Sequence, residues 1–153
     1  MAYDNNHSEF EERVIEVNRV TRVVKGGRRM RFRTLVIIGD KKGRVAVAVA
    51  KGGEVPTAVA KAVIQAKKHL QNVLITSAGS LPHEIQASYG ASTVLLKPAP
   101  EGTSLVSGGS VRTVLELAGY RNVVSKSLGS SNKINCAMAT LKALDALIQK
   151  ETA

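Results

Sequence analysis

Two adjacent glycines, Gly26 and Gly27, stand between two long runs of strand-type sequence, and no other feature of the chain limits its fold so tightly. Residues 12–24 are rich in Val, Ile, Thr and Arg. Residues 29–39 alternate cleanly. A Gly-Gly pair between such runs predicts an antiparallel hairpin, because a type I′ turn needs φ > 0 at both central positions. In the second run Met30, Phe32, Thr34, Val36 and Ile38 share one parity. Arg29, Arg31 and Arg33, then Leu35 and Ile37, take the other. Successive strand side chains point to opposite faces, so the tip is expected to be basic on one face and apolar on the other. The first run alternates less well: Ile15 and Val17 share a parity, while Val14, Val20 and Val24 oppose it. A bulge or a two-sided strand is expected there.

The next turn is Gly-Asp-Lys-Lys-Gly-Arg, residues 39–44, and it leads to a third strand at 44–51. Val45, Val47 and Val49 oppose Ala46, Ala48 and Ala50. An all-alanine face lets another backbone approach closely. Pro56 suits the first turn of a helix. Its expected core stripe is Val59, Val63, Ala66 and Leu70, with Lys61, Gln65 and Lys68 towards solvent. The first half therefore reads β-β-β-α.

The second half offers strands at 84–88 and 93–97, a Gly/Ser loop at 98–110 and a helix at 111–118 stopped by Gly119. A strand at 122–128 follows, then a helix capped by Asn132 with Ile134, Met138, Leu141, Leu144 and Ile148 as its stripe. The expected division is a flexible tail at 1–11, a first domain at 12–75, a linker at 76–83, a second domain at 84–150 and a tail at 151–153. The fold class is α+β.

The formal charge is +10 over 153 residues. Residues 1–72 carry 15 Lys/Arg against 7 Asp/Glu, while residues 73–153 carry 7 against 5. The excess favours an anionic partner, nucleic acid ahead of membrane, and puts the anion-facing surface in the first half. Lys25, Arg28, Arg29, Arg31 and Arg33 crowd the hairpin with no acid among them. They repel one another, and an RNA backbone relieves that repulsion and releases counterions. Two Phe, three Tyr and no Trp are too few for stacking on splayed bases. Phosphate and shape recognition of folded RNA is the mode that remains.

Catalytic readings fail on spacing. The stretch Glu101–Arg112 is glycine-rich before a helix, but it has neither Gly-Lys-[Ser/Thr] nor Gly-x-Gly-x-x-Gly. It reads as a loop that docks on a partner, with Arg112 as its charged contact. His83-Glu84 begins a zinc-protease motif that Ala87 does not complete, and His7 and His69 lack ligand spacing. Ser107 and Ser110 have no evident base partner. Cys136 is the only cysteine, so no intrachain disulfide can form, and it reads as a small core residue. No catalytic, metal or cofactor site is expected. No apolar run has transmembrane length, and the start Met-Ala-Tyr-Asp-Asn-Asn is not a secretory signal. A soluble intracellular protein without membrane contact is expected.

Several stretches occur in a recognisable order: VNRVTRVVKGGRRMRF, GDKKGRV, AKGGEVPTAVAKA, YGASTVLLKPAPEGTSLVSGG, VRTVLELAGYRNVVSKSLGSSNKIN and ATLKAL. Together they resemble the family of the fifth protein of the small ribosomal subunit, in bacterial or organellar form. The resemblance implies an N-terminal domain of double-stranded-RNA-binding type, with a three-stranded antiparallel sheet and one helix. It also implies a C-terminal α/β domain with a left-handed βαβ crossover. It further implies binding of small-subunit ribosomal RNA near the head–body junction, contacts with the fourth and eighth small-subunit proteins, and a place along the messenger RNA path. A role in accuracy and a cytoplasmic or organellar ribosome follow. The family's glycine hairpin, associated with spectinomycin resistance, corresponds to residues 22–28. Where the family has Gly, this chain has Ala46, Ala48, Ala50 and Ser104.

The candidate RNA-contacting residues are Arg19, Arg22, Lys25, Gly26, Gly27, Arg28, Arg29, Arg31, Arg33, Lys51 and Lys61. The candidate protein-contacting residues are Gly102, Thr103, Ser104 and Arg112. Two other readings fit less well. One is a free double-stranded-RNA-binding regulator. The other is an enzyme of the GHMP-kinase class, which rests on fold analogy alone.

Overall fold

The computed structural model of the chain describes residues 10–152. Most of the expected 1–11 tail, His7 included, lies outside the described residues. Strand β1 (Glu11–Val24) pairs antiparallel with β2 (Gly27–Gly39), and β2 pairs with β3 (Arg44–Gly52). The β1–β2 register shifts between Val14 and Glu16. Ile15 is thus the extra residue of a bulge, and it packs on the larger core, which accounts for the broken parity. The expected three-stranded sheet gains a fourth member, the two-residue β4 (Gln71–Asn72), beside β3.

The turn at the glycines differs from the type I′ expectation. Val24 pairs with Gly27, so Lys25 and Gly26 are the central residues. Of those two only Gly26 has positive φ, at 100°. That sign pattern belongs to a type II turn, which needs glycine only at its second central position.

Helix α1 (Val55–Lys68) has Pro56 in its first turn and lies on the even-numbered face of the sheet. Ala58, Ala62, Val63 and Ala66 are its buried residues, whereas the expected Val59 and Leu70 are only partly buried. Small side chains hold the centre because Ala46, Ala48 and Ala50 face them from β3 and draw helix and sheet together. Val36 and Ile38 complete this smaller core.

The other face of the same sheet is equally covered. Leu35, Ile37, Val45 and Val47 share one core with Val94, Leu96, Val114, Leu117, Val123 and Leu144. The second sheet runs in the order β5 (Ile85–Tyr89), β6 (Ser92–Pro98), β8 (Val123–Gly129), β7 (Leu105–Val106). β7 and β8 are parallel and flank α2 (Gly109–Ala118), forming a βαβ unit. β7 falls inside the expected Gly/Ser loop. Helix α3 (Lys133–Thr152) packs on β5, β6 and α2 and runs through residues expected as a tail. The layers are α1, the first sheet, α2 with α3, and the second sheet.

Asn132 caps α3 as expected, its Oδ1 accepting the N–H groups of Ile134 and Asn135. The core stripe of α3 is rotated from the expected one. Cys136, Ala137, Ala139, Thr140, Ala143, Leu144 and Leu147 are buried, while Ile134, Met138 and Leu141 sit at the margins. A helix packed on both a sheet and another helix places its small residues at the two contacts. Ile148 lies beyond the side chains described.

Backbone contact between the halves is close. Helix α2 ends at Gly119, whose φ of 110° is left-handed. Its last carbonyls would lack intrahelical partners. The β2–β3 turn supplies two: Lys41 N–H donates to Leu117 O and Gly43 N–H to Ala118 O, both at 2.9 Å. Asp40 shapes that turn by accepting the N–H groups of Lys42 and Arg44. The approach tolerates no side chain at Gly39, where a Cβ would lie 2.2 Å from Leu117 O. Arg13 adds a bidentate pair to Glu116 of α2 at 2.9 and 3.0 Å.

Residues 76–83, expected as a linker, are held by several hydrogen bonds. Gly79 O accepts the N–H groups of Arg121 and Asn122, Ala78 O accepts Asn122 Nδ2, and Ser80 Oγ accepts Ala99 N–H. Ser80 and Leu81 are buried.

Candidate nucleic-acid interface

β3 reaches no further along β2 than the pair of Phe32 with Gly52. Beyond it β1 and β2 continue alone, through the pairs from Val20–Arg31 to Val24–Gly27. This two-stranded ribbon extends about 17 Å at ~3.4 Å per residue. Its sequence explains why it stays a strand pair: the β1 arm is rich in β-branched residues (Val20, Thr21, Val23, Val24), and glycine sits only at the turn.

Residues directly opposite in an antiparallel ladder project from the same face. One face therefore carries Arg22 with Arg29, Val20 with Arg31, and Asn18 with Arg33 and Lys51. Val20, Thr21, Arg22, Val24, Arg29, Arg31 and Lys51 line a groove of about 500 Å³ there. The other face carries Val23 with Arg28, Thr21 with Met30, and Arg19 with Phe32. The Arg19 guanidinium lies 2.6 Å from the Met30 sulfur. The expectation of a basic face and an apolar face needs correction, because Arg19 and Arg28 make the second face basic too. Lys25 and Gly26 form the tip. Gly27, at φ 155°, opens β2, with nothing within 4 Å of where a side chain would start.

Arg19, Arg22, Lys25, Arg28, Arg29 and Arg31 are exposed, as is Lys51. Arg33 sits at the root, partly buried, with its Nε shielded from solvent and without a hydrogen-bond partner. Lys61 is exposed on α1, so it stands on the Arg19/Arg28 side of the sheet, away from the groove.

The sheet is electrically polarised along its length. At the root, away from the tip, Glu11 pairs with Arg13 and Lys41, Glu116 with Arg13, and Asp40 with Arg44. Lys41, then Arg13, holds the Glu11 carboxyl below its usual range, and Arg13 does the same for Glu116. Burial raises the Asp40 carboxyl, but the Arg44 guanidinium and the N–H groups of Lys42 and Arg44 bring it below its usual range. From Val17 to Gly39 there is no acid, so the uncompensated charge collects on the ribbon.

The second candidate surface is built differently. Asn122, 5% exposed, is a clamp: its Oδ1 accepts the N–H groups of Gly102 and Ser104, both at 3.1 Å, while its Nδ2 donates to Ala78 O. Gly102 and Ser104 have positive φ, 95° and 68°. Thr103 donates its hydroxyl to Pro100 O. Gly102 and Ser104 are exposed, and Arg112 is exposed in the first turn of α2. Asn122 was not among the expected residues. A polar residue opening a buried strand just after a helix stop is the signal that could have found it. Cross-strand pairing, once the turn is placed, also brings in Val20 and Asn18.

The remaining candidates are structural. Cys136 is buried, Ser110 donates to Lys133 O, and His83 Nδ1 donates to Glu84 O. Burial pushes the Tyr120 phenol up, and its hydroxyl donates to Leu74 O. Among the described residues no three His, Cys, Asp or Glu side chains converge as metal ligands. No helix there is long and apolar enough to cross a membrane.

Comparison with known proteins bears on both halves. Residues 10–74 match the family model described as ribosomal protein S5, N-terminal domain, and residues 87–152 that described as ribosomal protein S5, C-terminal domain. The small ribosomal subunit protein uS5c of Spinacia oleracea is 50% identical over 140 residues. That alignment takes in 92% of this chain and 46% of the relative, so the chain spans about half the length of the curated relative it matches. Matched in order by both domains of one family, the chain belongs to the ribosomal protein S5 family.

Proposed function

We propose that this protein is a structural, non-catalytic constituent of the small ribosomal subunit that binds ribosomal RNA through the β1–β2 ribbon. One observation carries the reading. Eight Lys and Arg side chains, from Arg19 to Arg33 with Lys51, surround an acid-free ribbon about 17 Å long whose root is fixed in two cores. Such a probe recognises phosphate and backbone shape rather than base edges. The rigid root makes its contacts geometric, so it sets the separation and angle of the RNA it touches.

The proposed location is the head–body junction near messenger RNA entry, on a cytoplasmic or organellar ribosome, with a proposed effect on decoding accuracy; membership of the family supports this reading. The loop Gly102–Thr103–Ser104 with Arg112 is the proposed contact for the fourth small-subunit protein, and the eighth is a further neighbour. The +2 charge of residues 73–153 suits a protein neighbour better than RNA. Lys61 is proposed as an RNA contact separate from the groove. The proposed division keeps 12–75 as the RNA-binding unit and 84–150 as the second unit, with 76–83 between them.

The test is co-sedimentation with small subunits followed by RNA crosslinking. Stoichiometric migration with crosslinks from the ribbon is the expected result. A free pool bound to other transcripts would replace this reading with that of a regulator.

A further inference from the structure

The ribbon is armed on both faces. Arg22, Arg29 and Arg31 with Lys51 project from one face, and Arg19 and Arg28 from the other. All six are exposed. No third strand covers either side beyond the Phe32–Gly52 pair. The two faces also belong to different sides of the body. The first continues into Leu35 and Ile37, which pack on the second sheet and its helices. The second continues into Val36 and Ile38, which α1 covers.

We propose that the ribbon bridges two separate RNA segments, one seated on each face, instead of lying against one. The proposal rests on the ribosomal RNA reading above and specifies the geometry of that partner. The physical reason is the shape of A-form RNA. Its major groove is too deep and narrow to admit a strand pair, and its minor groove is wide and shallow. A duplex therefore receives one face of a ribbon and leaves the other in water. The arginines of that other face would remain uncompensated beside the bound segment unless a second backbone reached them. The faces are not equivalent. The first is dense in charge around its groove. The second sets Val23, 78% exposed, and Met30, 49% exposed, beside its two arginines, which suits a segment whose sugars approach along with its phosphates.

The experiment uses the full chain and two RNA duplexes of about 16 base pairs, the span of a compact double-stranded-RNA reader. One duplex carries a donor dye and the other an acceptor. Energy transfer and sedimentation are read together, so that one protein with two duplexes is distinguished from two proteins. Two variants separate the faces: Arg22→Ala/Arg29→Ala/Arg31→Ala and Arg19→Ala/Arg28→Ala. Circular dichroism confirms that each variant is folded. The wild type is expected to hold two duplexes per protein with energy transfer. Each variant is expected to keep one duplex and lose the transfer. One duplex per wild-type protein, weakened alike by both variants, overturns the bridge and leaves RNA binding intact. Transfer that survives in either variant also overturns it, since the second duplex then sits elsewhere. No binding by any form overturns both the bridge and the RNA reading.

Discussion

Replacing Gly39 by alanine tests whether the halves form one structural unit. A Cβ there would lie 2.2 Å from Leu117 O, 2.7 Å from Leu117 C and 2.9 Å from Leu117 Cβ. Carbon–oxygen contacts are comfortable only from about 3.3 Å, so β2 and the end of α2 must separate by about 1 Å. Overpacking of this kind costs about 1–3 kcal/mol. The same movement stretches the bonds from Lys41 N–H to Leu117 O and from Gly43 N–H to Ala118 O, now 2.9 Å each. Each contributes about 0.5–1.5 kcal/mol net. Alanine also narrows the unfolded ensemble, which returns about 0.4–1 kcal/mol. The expected net loss is about 2–4 kcal/mol. At a urea dependence of about 2 kcal/mol per molar, the midpoint falls by roughly 1–2 M. Gly53→Ala is the control, because nothing lies within 4 Å of its Cβ position and its φ is not left-handed. It should stay within about 0.5 kcal/mol of wild type. Unfolding of the full chain is followed by circular dichroism. A midpoint for Gly39→Ala equal to that of Gly53→Ala would refute the close-approach reasoning. Two transitions, only one of them shifted, would refute the single unit.

Three further outcomes are expected at other sites. Arg29→Ala/Arg31→Ala should flatten the dependence of log RNA affinity on log salt by about two units, at ~0.9 per duplex phosphate released, and an unchanged slope would mean the two are merely solvated. Ser104→Gly should stabilise the protein by about 0.5–1 kcal/mol in thermal unfolding, because serine at φ 68° is strained and the N–H bond to Asn122 survives the change; a loss would show that the serine hydroxyl matters. Glu116→Gln should cost about 0.5–1 kcal/mol at neutral pH, given the partial exposure of its pair with Arg13. Arg13 lowers the Glu116 carboxyl, so its contribution is complete above the ordinary value of 4.5 and is lost as pH falls through the lowered one. Wild type and variant should therefore converge in acid, and a gap that persists there would remove the ion pair as its cause.

Much of this was legible in the sequence because the signals were local. The parity of Met30 to Ile38 showed two faces, the alanines of β3 announced a close neighbour, and Asn132 and Gly119 marked helix ends. What stayed hidden depended on tertiary partners. Leu35 and Ile37 were readable as apolar, but nothing local says that a second sheet and its helices cover them. α3 buries Ala137, Thr140 and Ala143 because it is packed on two sides, and periodicity of large side chains cannot reveal that. β7 has two residues and exists through its pairing with β8. In the candidate interface the charges were plain from sequence. Which β1 residue stands opposite each β2 arginine was not, because that register depends on a turn centred on Lys25 and Gly26 rather than on the two glycines.

The central claim is that the ribbon tip lies against small-subunit ribosomal RNA. Directed hydroxyl-radical cleavage tests it most directly, with the probe on a cysteine introduced as Lys25→Cys and, separately, as Lys42→Cys at the opposite end of the sheet. Cys136 is 5% exposed, so the new thiol takes the reagent selectively. In assembled small subunits the expected result is strong, localised cleavage of ribosomal RNA from position 25 and weaker cleavage from position 42. Cleavage from position 42 with none from position 25, in subunits that contain the protein, would contradict the claim.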